Sequence, residues 1–240
     1  MDCSQVKRCN LSRCSPTPLE VPSIPLSALS LQQRVILNIV KTHLRQSSED
    51  QLDNPIRVIV LGSGGTGKSE ICSHLRFELE SQKQKCQDFE FLMGAYTGIA
   101  ANQIKGGTIH RSFGIPSFVK HDDHDAFVRN IDLNSDRALY LRRVQFIVFD
   151  EMNFIGQRMF YLIDSLLKHV DRRYSHLPFS GRSVVLLGDI FQLAPANDRA
   201  IFTPAGKTSP KYAQEAFQLY RKFDTHVFIM RKPFRQLGNS

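Results

Sequence analysis

No stretch of about 18 apolar residues occurs in the 240-residue sequence, so no transmembrane helix and no membrane partner are expected. The first residues, Met1 to Arg8, lack the apolar core of a secretory signal. Cysteine is scarce. Five residues at irregular spacing do not make a disulfide framework. Cys72 and Cys86 read as reduced thiols in the body of the chain. Cys3, Cys9 and Cys14 cluster near the start but lack the close pairs or histidines of a zinc site. No internal repeat is visible. These absences point to a reducing compartment: the nucleus first, with mitochondrion or cytoplasm as alternatives.

What is present is ordinary for a globular chain, with 42% hydrophobic residues, enough for a sizeable core. The formal net charge of +8 suits a polyanionic partner without requiring one. Residues 1–27 are polar and carry Pro16, Pro18, Pro22 and Pro25, which predicts a disordered tail and linker. Residues 28–240 then form one domain. Ser27 or Ser30 can cap a helix carrying Leu31, Val35, Ile36, Ile39 and Val40. A loop is expected from Gln51 to Pro55.

Beyond it, short apolar runs alternate with helical stretches. Strands are predicted at 56–61, 89–95, 144–149, 184–187 and 227–230. Helices are predicted from Lys68 to about Lys83 and through Met159, Leu162, Ile163, Leu166, Leu167 and Val170. Continuous apolar strands alternating with helices predict an α/β fold, a parallel sheet flanked by helices on both faces. The run His121 to Asp125 reads as a solvated loop rather than a metal cluster.

Gly62-Ser63-Gly64-Gly65-Thr66-Gly67-Lys68-Ser69 follows a predicted strand and opens a helix. The glycines let backbone N–H groups turn inward around phosphate at a helix N-terminus. Lys68 supplies a point charge to the β- and γ-phosphates, and the Ser69 hydroxyl is a ligand for Mg2+. Asp150 and Glu151 close another apolar run. Asp150 suits the magnesium carboxylate from a neighbouring strand, and Glu151 the general base for water. Gln192, in the loop after Val184–Leu187, can bond a γ-phosphate and register its loss. An ATP or GTP hydrolase or a kinase would fit the first two elements; the segment Gly188–Pro195 argues against the kinase.

At this point the chain resembles the superfamily 1 DNA helicases of the Pif (petite integration frequency) type, including the helicase-like proteins of eukaryotic transposons. The likeness runs from about Ala28 to Gly238. Leu29-Ser30-Leu31-Gln32-Gln33 is similar to the adenine-recognising Q motif, with Gln33 as its glutamine. Gly62–Ser69 resembles motif I, Ala95–Ala101 motif Ia, and Asp150-Glu151 motif II. Gly106–Ile115 resembles the family's following signature, and Pro178–Pro195 the approach to motif III with the motif itself. Phe234-Arg235-Gln236 resembles motif IV, which implies γ-phosphate contact by Arg235. Two departures stand out: Asn153 occupies the position of a family serine, and Ala194-Pro195 replaces Pro-Pro.

The resemblance implies a RecA-like P-loop domain that binds and hydrolyses ATP with Mg2+ and contacts single-stranded DNA or DNA junctions. It also implies 5′-to-3′ translocation in repair, recombination, telomere maintenance or transposition. Thr97, Gly98, Thr108 and His110 are expected at the sheet edge that bears the phosphate loop, suited to sugar–phosphate contacts. His110 or Phe113 could stack on a base, though Phe113 equally suits core packing. Motifs V and VI, which the family carries on a second motor domain, are not found before Ser240. The chain is therefore expected to be a first motor domain whose opposing wall comes from elsewhere. The alternative is a non-catalytic module that binds ATP and single strands.

Overall fold

A computed structural model describes residues 18–46, 48–116, 124–223 and 226–231. Its helices are α1 (Leu31–Leu44), α2 (Ser48–Asp53), α3 (Lys68–Lys85), α4 (Gly98–Gln103), α5 (Ile109–Phe113), α6 (His124–Arg129), α7 (Asp136–Arg143), α8 (Gln157–Val170) and α9 (Lys211–Tyr220). Its strands are β1 (Arg57–Gly62), β2 (Glu90–Ala95), β3 (Gly107–Thr108), β4 (Val144–Asp150), β5 (Ser183–Gly188) and β6 (His226–Met230).

The strands form one sheet in the order β3-β2-β4-β5-β1-β6, and the pairings are parallel. Alternation along each strand sorts the side chains onto two faces. Val58, Val60, Phe146, Val148, Val185 and Leu187 pack with Ile36, Val40, Ile71 and Leu75 of α1 and α3. Ile59, Ile147, Phe149, Val184 and Leu186 pack with Leu141, Phe160, Ile163, Leu167 and Ala216 of α7, α8 and α9. Full burial of each large apolar side chain contributes roughly 1.5–3 kcal/mol, which explains why strands covered on both sides read as unbroken apolar runs.

Ser30 is the cap of α1. Its hydroxyl accepts the Gln33 N–H, while the Gln33 side chain accepts the Ser30 N–H, a reciprocal capping box. At the far end of the sheet Arg182 is fully buried. It pairs with Asp171 at 3.1 Å and donates to the carbonyls of Leu141, Val144 and Ser180, fastening α7 and the start of β4 to the segment that enters β5.

Three expectations change. Residues 1–17 lie outside the described residues, but 18–27 are not a free linker. The Ile24 carbonyl lies 2.9 Å from His74 Nε2 on α3, and Glu20 pairs with Lys105. Proline blocks helix there, not packing. Gln51 to Asp53 are helical rather than loop, with the buried Gln51 amide donating to the Gln46 carbonyl at 2.9 Å. His121 to Asp123 lie outside the described residues, whereas His124 and Asp125 open α6; Asp125 accepts the Tyr161 hydroxyl at 2.8 Å.

Candidate functional site: a nucleotide cleft and an aromatic groove

The parallel strands place the loops that follow β1, β4 and β5 on one edge of the sheet, where ligands of open α/β sheets bind. There a cleft of about 300 Å³ is lined by Gly64, Gly65, Gly67, Lys68, Ser69, Asp150, Glu151, Asn153, Asp189 and Gln192, among others. The sequence predicted most of these. Asp189, Asn153, Glu70 and Gln103 were not singled out for the cleft. Asp189 shares with Asp150 the signal of a carboxylate ending an apolar strand.

The phosphate loop is tightly curled. Gly65 and Gly67 take φ of 80° and 89°, and Gly67 leads into the first turn of α3. A Cβ on Gly62 would lie 2.5 Å from Thr66 Oγ1 and 2.9 Å from the Met230 Cβ, so β1 can end there only in glycine. Thr66 is buried and donates its hydroxyl to the Ser63 carbonyl at 2.8 Å, closing the curl. Lys68 Nζ donates to the Gly62 carbonyl and to the Ser63 carbonyl at 3.0 Å. Burial lowers the Lys68 pKa, and the Asp189 and Asp150 carboxylates oppose that shift.

Asp150 ends β4. The sequence predicted a strand neighbouring β1, but β5 lies between β4 and β1, which brings Asp189 into the cleft. Asp150 Oδ1 accepts the Glu151 N–H at 2.9 Å. Burial nevertheless raises the Asp150 carboxyl above its ordinary value, with the Glu151 charge adding to the rise. The Asp150 carboxylate and the Ser69 hydroxyl line the same cleft as an all-oxygen donor set, and they fit magnesium. Glu151 sits at φ 53°, the left-handed region that β-carbon-bearing residues avoid. Its Oε2 accepts the Thr97 hydroxyl at 3.1 Å.

Gln192 is exposed on the rim, flanked by Phe191 and Leu193 at 92% and 78% exposure. Its turn is set by Asp189, whose Oδ1 accepts the Phe191 N–H at 3.0 Å. Asn153 ties this loop to the end of β4, donating from Nδ2 to the Leu193 carbonyl at 3.3 Å.

Gln33 stands differently from its adenine-recognising expectation. The side chain is fully buried: Oε1 accepts the Ser30 N–H at 2.8 Å and Nε2 donates to the Gly67 carbonyl at 3.2 Å. It braces the phosphate loop instead of facing a base. Arg235 lies outside the described residues.

The expected strand-binding residues divide. Thr97 caps α4, accepting the Ala100 N–H, and Gly98 is open, with nothing within 4 Å of an added Cβ. Thr108 caps α5 through the Arg111 N–H. His110 lines a second groove, about 260 Å³, with Tyr96, Phe154, Arg158 and Pro195. Tyr96 meets His110 edge-on at 5.4 Å between centroids and stacks on Phe154 at 6.4 Å. Burial lowers the His110 pKa, favouring the neutral ring. Phe113 does not belong here. It is fully buried against Phe149, because the short α5 turns its apolar side onto the sheet, so it cannot stack on a base. Tyr96 and Phe154 were missed; their aromatic character beside motifs Ia and II was the available signal.

Among protein families, the model for PIF1-like helicase matches residues 28–238. The chain is 26% identical over 219 residues to the ATP-dependent DNA helicase RRM3 of Saccharomyces cerevisiae, covering 90% of this chain and 27% of that protein. It is 26% identical over 223 residues to the ATP-dependent DNA helicase PIF1 of Emericella nidulans, covering 91% and 27%. The chain thus spans about a quarter of the length of these relatives. In fold it is similar to the Pif1 helicase from Candida albicans, with a TM-score of 0.65 at 23% identity, over 88% of this chain and 41% of that one. Pif1 helicase from Bacteroides in complex with ADP-AlF3 and single-stranded DNA gives a TM-score of 0.55 at 24% identity, over 87% and 43%. The fold is RecA-like.

Proposed function

Because this chain belongs to the PIF1-like helicase family, we propose that it is the first motor domain of an ATP-dependent DNA helicase, binding and hydrolysing ATP and holding single-stranded DNA. The observation that carries this reading is the convergence of Lys68, Ser69, Asp150, Glu151 and Gln192 on one cleft from the ends of three strands.

In this reading the loop Gly62–Gly67 and the first turn of α3 hold the phosphates by backbone N–H groups. Lys68 shifts from its own loop carbonyls to the β- and γ-phosphates. Ser69 and Asp150 hold magnesium, which when bound neutralises charge on the phosphates. Glu151 takes a proton from the attacking water as its oxygen bonds to the γ-phosphorus, and the bond to the β-phosphate oxygen breaks to release ADP. Gln192 bonds the γ-phosphate and loses that partner after hydrolysis. The exposed Phe191 and Leu193 then shift with it. Translocation needs two lobes that open and close around nucleotide, so we assign this chain the first lobe and a second domain the motifs V and VI.

The single strand is assigned to the groove at Tyr96, His110 and Phe154, continuing over Thr97, Gly98 and Thr108. Aromatic faces stack bases without reading sequence, and hydroxyl and backbone groups hold the sugar–phosphate chain. Repair, recombination, telomere maintenance or transposition, in the nucleus, is the setting that suits this activity.

Fluorescence anisotropy of labelled oligo-dT tests the strand assignment. Affinity is expected to fall with salt and to weaken in His110→Ala. Absent or salt-independent binding overturns it. Binding of a magnesium–ATP analogue, lost in Lys68→Ala, tests the cleft.

A further inference from the structure

The Thr97 hydroxyl is engaged from both sides. It accepts the Ala100 N–H at 3.2 Å, which caps α4, and it donates its proton to Glu151 Oε2 at 3.1 Å. The Glu151 backbone is pinned as well. Its N–H goes to Asp150 Oδ1 and its carbonyl accepts the Phe154 N–H at 3.0 Å. Among the described residues, the Thr97 hydroxyl is what holds the carboxylate.

The strand order gives that hydrogen bond a direction. Glu151 follows β4. The phosphate loop lies to one side, beyond β5, while Thr97 follows β2 on the other side. The contact therefore ties the carboxylate to the β2 side of the cleft it shares with Lys68 and Ser69. It also occupies a lone pair that would otherwise accept from water.

The same residue sits in the segment assigned above to the single strand. Tyr96 lines the aromatic groove, Gly98 faces open space, and Ile99 is 78% exposed. A strand seated there meets Thr97 directly.

We propose that Thr97 is a positioning residue that restrains Glu151 while the strand site is empty, and that a single strand bound across Tyr96–Ile99 takes over the Thr97 hydroxyl and frees Glu151 for the attacking water. The proposal rests on the motor reading. It gives that reading a physical route from DNA occupancy to ATP turnover: one proton shared between two acceptors.

The test uses the full chain, with magnesium–ATP turnover measured with and without oligo-dT. In Thr97→Val, turnover without DNA rises roughly tenfold, the scale of one hydrogen bond to a charged group. The KM for ATP stays near the wild-type value, and the stimulation by oligo-dT shrinks to match. Loss of the cap on α4 complicates that variant, so Thr97→Asp is the second. It keeps a capping oxygen, has no proton to donate and repels Glu151, and it raises DNA-free turnover in the same way. Thr97→Ser restores the wild-type ratio. A wild-type chain stimulated by oligo-dT whose variants keep the same stimulation, or lose turnover equally with and without DNA, overturns this inference alone. A wild-type chain that does not respond to oligo-dT overturns the motor reading and this inference with it.

Discussion

Gln33 Nε2 donates to the carbonyl of Gly67 at 3.2 Å, so the first turn of α1 is bolted to the phosphate loop. The other end of the same amide closes the α1 capping box. Gln33→Ala removes both contacts and leaves the half-buried Gly67 carbonyl with the Ile71 N–H, a loss of about 1–3 kcal/mol for the two hydrogen bonds. The expected result is a lower Tm, together with a magnesium–nucleotide Kd raised roughly tenfold because the loop loses its brace. Thermal melts and calorimetric titration check it. An unchanged Kd would mean that the loop holds its shape without α1.

The glycines of the loop are not equivalent. Gly62→Ala drives a Cβ into Thr66 and Met230, whereas Gly64 has nothing within 4 Å. The prediction for Gly62→Ala is a destabilised β1 edge, costing about 1–3 kcal/mol as overpacking does, with nucleotide binding lost alongside. Gly64→Ala leaves the urea midpoint of the free protein near wild type. The two denaturation curves check the contrast.

Asn153 is the side chain that joins the end of β4 to the loop after β5. It is buried, its Nδ2 reaches the Leu193 carbonyl, and among the described residues its Oδ1 accepts no hydrogen bond. Asn153→Ala frees the loop that carries Gln192 without touching Lys68. Turnover is expected to fall roughly tenfold while the KM for ATP moves less than about twofold, the pattern of a contact used after binding. Equal changes in both would place Asn153 in nucleotide binding instead.

His43 makes the fold acid-sensitive. It is buried beside Ser183, with Nε2 2.7 Å from the hydroxyl, and burial brings its pKa from 6.5 to about 4. Between those values the unfolded chain binds the proton and the folded chain does not, so stability present at pH 7 drains away as the pH falls through 6.5 towards 4. The shift corresponds to a loss on the order of 3 kcal/mol. Urea midpoints across this range are expected to fall more steeply for the wild type than for His43→Leu, which starts lower at neutral pH because Ser183 loses its neighbour. Parallel slopes would remove His43 from the account.

The readable parts of this molecule were those written in consecutive residues. Apolar runs such as Val144–Phe149 announce strands because both sheet faces are covered, and Gly62–Ser69 announces itself because the curl demands glycine at set positions. What stayed hidden depends on which distant segments meet. Thr97 and Glu151 are 54 residues apart, and their contact exists because β2 and β4 are neighbours. β5 inserting between β4 and β1 is equally invisible in spacing, and it is what brings Asp189 into the cleft. Gln33 had the right neighbour and the wrong job: its chemistry suits a base, but the cap at Ser30 turns it onto Gly67. Phe113 was undecidable from sequence, since one aromatic after a histidine serves a core or a base equally well. The five-residue α5 decided it.

Steady-state turnover of magnesium–ATP, with and without oligo-dT, in the wild type and Glu151→Gln tests the central claim most directly. The account predicts turnover that oligo-dT raises several-fold in the wild type and that falls to background in Glu151→Gln, while both still bind nucleotide. Nucleotide binding with no turnover above background, turnover indifferent to oligo-dT, or full activity in Glu151→Gln would contradict it.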